Sequence, residues 1–258
     1  MSQQRPPSSS LPPASSRTGG PRKGLLAIVA IVLLVGVAGV LGAWYVLFRD
    51  SGPAAVGTAA PVVPSGAPIS SLATTDGTWS IDPSVGSFSD FSDAWVGYRV
   101  KEQLVGVGGA TAVGRTPDVT GTLRLDGTTL TAVAMSADLR TLKSDESMRD
   151  GQLSRQGVQT SQFPTATFSL TSPIHLGTIP AVGQAVNVTA TGDMTLHGVT
   201  RSVQVPLVAT LSGDLIAVTG SLPFTWADYG MTAPQSPQRV LSVEDSGVIE
   251  MNLIFRHD

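Results

Sequence analysis

The sequence predicts an all-β domain of long antiparallel strands, carried behind a single N-terminal transmembrane helix. Three observations predict it. Residues 24–48 are apolar and uncharged, a two-residue apolar alternation recurs from residue 78 to the end, and one stretch alone, Ser144 to Arg155, has the marks of an α-helix. The 258 residues include no cysteine, which excludes thiolate catalysis, Cys-ligated zinc and iron–sulfur clusters. A folded part of about 180 residues buries roughly 70% of its unfolded surface, enough to fold without disulfides or a metal.

The formal charge of −3 is unevenly spread. Residues 1–23 carry Arg5, Arg17, Arg22 and Lys23 and no acid, whereas residues 78–258 carry 11 basic and 17 acidic side chains, a balance of −6. Such a domain lacks the basic footprint that nucleic acid requires, so nucleic acid is excluded as a partner.

Residues 1–23, rich in Ser, Pro, Gln and Gly, contain too few apolar groups to offset the entropy of ordering and read as a disordered cytoplasmic tail. The run at 24–48 spans about 37 Å as a helix, sufficient for a ~30 Å hydrocarbon layer, with Trp44 and Tyr45 near its end as an interfacial belt. Arg17, Arg22 and Lys23 precede it and Arg49 and Asp50 cancel just after it, which keeps the N-terminus in the cytoplasm and exports the rest. A cleaved signal has an apolar core of only ~7–15 residues, so the run is read as a retained single-pass anchor. Residues 49–77, dominated by Pro, Ala, Ser and Gly, read as a disordered, semi-extended linker that holds the following domain clear of the membrane.

The domain at 78–258 is defined by period two. Val119, Gly121, Leu123 and Leu125 share a face, Asp126-Gly127 marks a hairpin turn, and Thr131, Val133, Met135, Ala137 and Leu139 return in phase. The period recurs in Ala166/Phe168/Leu170, Val186/Val188/Ala190/Met194/Leu196, Val203/Val205/Leu207/Ala209/Leu211 and Ile249/Met251/Leu253/Phe255, with bends at Gly198 and Gly213-Asp214. In the helical stretch Ser144 is the expected N-cap, with Asp145 and Glu146 in the first turn. A shorter helical turn is expected at Trp226 to Tyr229. Long strands must pair into a sandwich or close into a barrel to hide their edges, and the local pattern allows both.

Several segments, taken in order, resemble the YceI family. They are Trp79-Ser-Ile-Asp82-Pro83, Val96-Gly-Tyr98-Arg-Val100, Val113-Gly-Arg115 and Ser144-Asp-Glu-Ser-Met-Arg149-Asp150. Phe163-Pro164-Thr-Ala-Thr-Phe168, Gly192-Asp-Met-Thr-Leu196-His197-Gly198-Val199-Thr200 and Trp226-Ala-Asp228-Tyr229-Gly230 complete the series. The resemblance implies an extended, lipocalin-like antiparallel β-barrel with a helix across one mouth. It also implies binding of a long isoprenoid chain, a polyprenyl lipid or quinone, in the interior. Two departures stand out: Glu102 replaces a histidine that many members carry at the end of the second strand, and better-known members are free periplasmic proteins rather than anchored ones.

The candidate lipid-binding residues are therefore the inward faces that include Tyr98, Val100, Leu123, Leu125, Met135, Phe168, Leu170, Met194 and Leu196, which carry no charge. The competing reading is that they fill a solid core, leaving a scaffold without a ligand. Arg149 is the candidate head-group contact, because its guanidinium fork matches a phosphate; the alternative is a local ion pair. His197 is expected as a turn residue with an exposed ring. An enzyme would have to draw on Asp228, Tyr229 or His197. None of His175, His197 and His257 lies in a nucleophile motif or at metal-ligand spacing, so no enzyme activity, cofactor or metal is expected.

Overall fold

The computed structural model describes residues 53–57, 61, 63–64, 73–106, 108–235 and 240–258, together with Gly36. The chain divides into two units, Met1–Arg49 and Asp50–Asp258. The expected tail at 1–23 and, Gly36 apart, the expected span at 24–48 lie outside the described residues. Among those described, no helix is long and apolar enough to cross a membrane.

Among the described residues twelve strands form one antiparallel sheet: β1 (Gly77–Ile81), β2 (Trp95–Leu104), β3 (Gly108–Thr116), β4 (Val119–Asp126), β5 (Thr129–Asp138), β6 (Lys143–Ser144), β7 (Thr165–Leu170), β8 (Ile174–His175), β9 (Ala185–Leu196), β10 (Val199–Ser212), β11 (Leu215–Thr225) and β12 (Val240–His257). Eight of these, in the order β1-β4-β5-β7-β9-β10-β11-β12, close into a barrel through the pairing of β1 with β12. The choice between sandwich and barrel is thus decided in favour of the barrel. The hairpin β2–β3 adds to the free side of β12, where Ile249 pairs with Tyr98 and Gly247 with Val100.

Turn chemistry sets several registers. The β9–β10 hairpin closes on His197 (φ 52°) and Gly198 (φ 72°), both left-handed, which matches the twist of the flanking strands. The β4–β5 turn falls one residue later than expected, on Gly127-Thr128, with Gly127 at φ 57° and its N–H donated to Asp76 Oδ1 at 2.6 Å.

The expected helix is shorter than its signals suggest. Ser144 ends in β6, paired with Gly114, and α1 covers Ser147–Gln152 with Glu146 as its N-cap, accepting from the Met148 N–H at 3.3 Å. Ser144 instead accepts from the Glu146 N–H at 3.2 Å and donates to Asp150 Oδ1 at 2.6 Å, a local turn that delays the helix. A π-helical turn, Leu153–Gly157, follows. The turn expected at Trp226 to Tyr229 is a 3₁₀ turn, Ala227–Tyr229, closed by Gly230.

Two strands are buried on both faces over part of their length. At the start of β11 the neighbours Ala217 and Val218 are both buried, and Leu215 packs with Ile254 beneath Val85 and Val63. In β3, Ala112 to Thr116 are all buried. Part of the cover comes from the 49–77 stretch, several of whose described residues bond to the barrel wall. Arg99 donates to the Pro53 carbonyl at 2.6 Å, Arg115 to the Ala54 carbonyl at 3.1 Å, and the Val56 N–H to Glu250 Oε1 at 3.1 Å.

Bulky inward side chains need thin neighbours. The Tyr98 ring lies across Gly114, and the Phe168 ring across Gly192, where a Cβ would collide with that ring and with the Ser169 carbonyl. Gly192→Ala is therefore expected to lower stability by about 1–3 kcal/mol through overpacking, checked by chemical denaturation beside the wild type.

Candidate functional site

The barrel holds a cavity of about 270 Å³ whose lining is almost wholly apolar. It arises because alternate residues of each strand point inward while the wall is closed. Tyr98, Leu123, Leu125, Met135, Phe168, Met194 and Leu196, all chosen from the sequence pattern, bound this cavity. Val100 bounds a second cavity at the mouth, and half-buried Leu170 bounds neither. The interior is therefore not packed solid. Phe224 and Leu222 on β11, Leu153 and Val158 near the helix, and Met231 also line it. Leu222 and Phe224 continue a two-residue period, Val218/Gly220/Leu222/Phe224, that the periodic segments named from the sequence do not include, whereas Leu153, Val158 and Met231 come from turns, which carry no such period.

The second cavity, of about 370 Å³, lies between β2, β12 and α1 and is lined by Glu102, Glu146, Arg149 and Gln152 among apolar neighbours. The two cavities share Tyr98, Leu153 and Trp226 as a common wall. Trp226 is fixed there by a bulge in β12: its indole N–H donates to the Glu244 carbonyl at 2.9 Å and its backbone N–H to the Asp245 carbonyl at 3.1 Å.

Arg149, the sequence candidate for a phosphate contact, is already engaged. It donates to Glu102 Oε1 at 2.7 Å, to Asp145 Oδ1 at 2.5 Å and to Ser144 Oγ at 3.3 Å. Burial pulls its pKa down, but bonding to Glu102 and the charges of Glu102 and Asp145 more than offset this and hold the guanidinium ionised. Its neighbour Asp150 accepts from the Ser144 N–H and Oγ instead. Burial pushes the Tyr98 phenol well above its ordinary range, so it stays a neutral hydroxyl.

The residues of an enzyme reading are not brought together as a catalytic set. The His197 ring is not exposed: it packs on Phe163 at 4.1 Å between centroids, with Nδ1 3.1 Å from the Tyr229 carbonyl and Nε2 2.9 Å from Gln159 Oε1. Asp228 accepts from Thr225 Oγ1 at 2.7 Å and pairs with Arg201 at 3.2 Å, which is the bonding of a turn. Among the described residues no group of three His, Asp or Glu side chains is placed to hold a metal.

A closed antiparallel barrel with an apolar chamber and a helix at one mouth defines a lipocalin-like protein. The chain belongs to the family of YceI-like domains, whose model matches residues 79–255. No curated protein matches the sequence at a comparable level. Among solved structures, a polyisoprenoid binding domain from Saccharophagus degradans, implicated in plant cell wall breakdown, superposes with a TM-score of 0.55 at 18% identity, covering 70% of this chain and 98% of that one. BcnA of Burkholderia cenocepacia gives a TM-score of 0.47 at 22% identity, covering 62% and 95%. The YceI protein of Campylobacter jejuni gives 0.44 at 14% identity, covering 56% and 84%.

The Glu102–Arg149 pair joins β2 to α1. Glu102→Ala removes the buried partner of a guanidinium that keeps Asp145 and some contact with water, so the expected loss is about 2 kcal/mol, below the ~3–5 kcal/mol of a fully buried pair. Glu102→Gln, which still accepts from Arg149, is expected to cost less than half as much, with both read from urea midpoints.

Proposed function

We propose that this protein binds a long-chain lipid, an isoprenoid such as a polyprenyl lipid or quinone, inside its barrel, and so sequesters or carries it outside the cytoplasm while anchored to a bacterial plasma membrane through residues 24–48. One observation carries the reading: a closed wall encloses an open apolar interior rather than a filled core. Apolar burial drives entry at about 0.8 kcal/mol per buried methylene, so chain length rather than directional bonding dominates affinity. Membership of the YceI-like family and likeness in fold to a polyisoprenoid binding domain support the ligand class. The uncharged run at 24–48 with basic residues before it supports the anchor and its orientation.

Native mass spectrometry with organic extraction, on the full chain purified in detergent from a prenyl-lipid-rich bacterium, is expected to find a stoichiometric apolar adduct. Met194→Arg and Phe168→Arg each place a charge in the chamber and are expected to abolish it. A folded variant with wild-type lipid content removes the assignment. Topology is separately testable because the chain has no cysteine of its own. A Thr131→Cys variant in intact cells is expected to react with a membrane-impermeant maleimide, and a Ser10→Cys variant to react only after lysis.

A further inference from the structure

Among the described residues, the stretch before β1 is fastened to the barrel at three places. At the first, Arg99 donates to the Pro53 carbonyl at 2.6 Å, Arg115 to the Ala54 carbonyl at 3.1 Å, and the Val56 N–H to Glu250 Oε1 at 3.1 Å. At the second, Pro61 is buried and Val63 packs against Val85, Leu215 and Ile254. At the third, the Thr75 carbonyl accepts from the Trp79 indole N–H at 3.1 Å. There Asp76 also accepts from the Gly127 N–H through Oδ1 at 2.6 Å and from His257 Nε2 through its carbonyl at 2.8 Å.

The first place is built to hold a polypeptide. The side chains of Arg115 and Glu250 are only 5% and 3% exposed, and two guanidiniums against one carboxylate leave a balance of +1. The Arg115 guanidinium lies 3.8 Å from the Trp95 ring centre and 4.3 Å from that of Phe91. Burying such a cluster is costly unless its donors and acceptors find partners. Peptide carbonyls suit the surplus cations and a peptide N–H suits the carboxylate, and residues 53–56 present them in that order. Pro53 gives up nothing by lacking an N–H, because its position supplies only a carbonyl.

We propose that the stretch from Pro53 to Asp76 is a docked strap rather than a spacer, and that it keeps the barrel on a short tether to the bilayer that carries its anchor. Docking at Pro53 leaves five Cα steps of chain after Phe48, a reach of at most about 18 Å. A flexible linker from Phe48 to Gly77 would average roughly 30 Å and extend to about 100 Å. The strap therefore commits the barrel to its own bilayer and denies it the long reach of a free linker. The inference rests on the reading of residues 24–48 as a membrane anchor.

One insertion, placed on either side of the strap, tests this. A Gly-Ser insertion of about ten residues is put between Asp50 and Ser51, or between Ser70 and Ser71, of the full chain in phosphatidylcholine vesicles. Height above the bilayer is read by energy transfer from a dye on a Thr131→Cys variant to acceptor-labelled lipid. The upstream insertion is expected to lift the dye by roughly 15–20 Å, the mean span of such a linker. The downstream insertion, lying behind docked residues, is expected to leave it unmoved. Hydrogen exchange is expected to find the Val56 N–H at least about tenfold slower than in an unstructured peptide. Equal lifting by the two insertions, no lifting by either, or exchange of Val56 at the unstructured rate overturns the strap while leaving the anchor in place. A chain that does not float with the vesicles overturns the anchor reading, and the tether with it.

Discussion

The molecule depends on how its last strand is shared. β12 pairs with β11 along one edge, and its other edge is divided between β2 for most of its length and β1 at its end. Without the three pairs from Trp79–His257 to Ile81–Phe255, the sheet would keep two long open edges and the interior would be a groove open to water. The closing strand is anchored accordingly. Trp79 is completely buried among Leu123, Leu125 and Phe255, and its indole N–H donates to the Thr75 carbonyl at 3.1 Å.

Closure explains both what is inside and what is outside. Inside, inward side chains cannot all be large, so glycines at 114 and 192 accept the rings of Tyr98 and Phe168 and the remaining space stays open. Outside, the wall is not uniformly polar. Leu215 and Ile254 are covered by Val85 and Val63, and Glu250 lies between Arg99 and Arg115, with Arg115 also stacked 3.8 Å from the Trp95 ring centre. Pro53, Ala54 and Val56, which precede β1, make three hydrogen bonds to this outer ion cluster. The barrel's exterior therefore resembles a second, thinner core along one side.

The mouth is where the two faces meet. The bulge in β12 sends the Glu244 and Asp245 carbonyls to Trp226, while α1 brings Arg149 onto Glu102. The guanidinium that the sequence offered as a head-group contact is engaged by Glu102, Asp145 and Ser144.

By itself the sequence determined the elements whose environment is two-sided. Strands β4, β5, β7, β9 and the end of β12 each put apolar residues on one face and polar ones on the other, so period two exposed them, and with them Leu123, Leu125, Met135, Phe168, Met194 and Leu196 of the cavity wall. The Gly-containing turns were legible for the same local reason, and the ordered series of short segments was enough to name the family. The second half of β3 and the start of β11 were hidden because both faces are covered there, which erases alternation. The shortened helix and the engaged state of Arg149 were hidden because Ser144, Glu102 and Asp145 act on them through space, and Glu102 lies 47 residues away in the chain. Local pattern left barrel against sandwich and open chamber against solid core undecided; the resemblance pointed to the first of each, and tertiary structure decided them, as it decided the pairing of Arg149 with Glu102, since each depends on which distant strand becomes a neighbour.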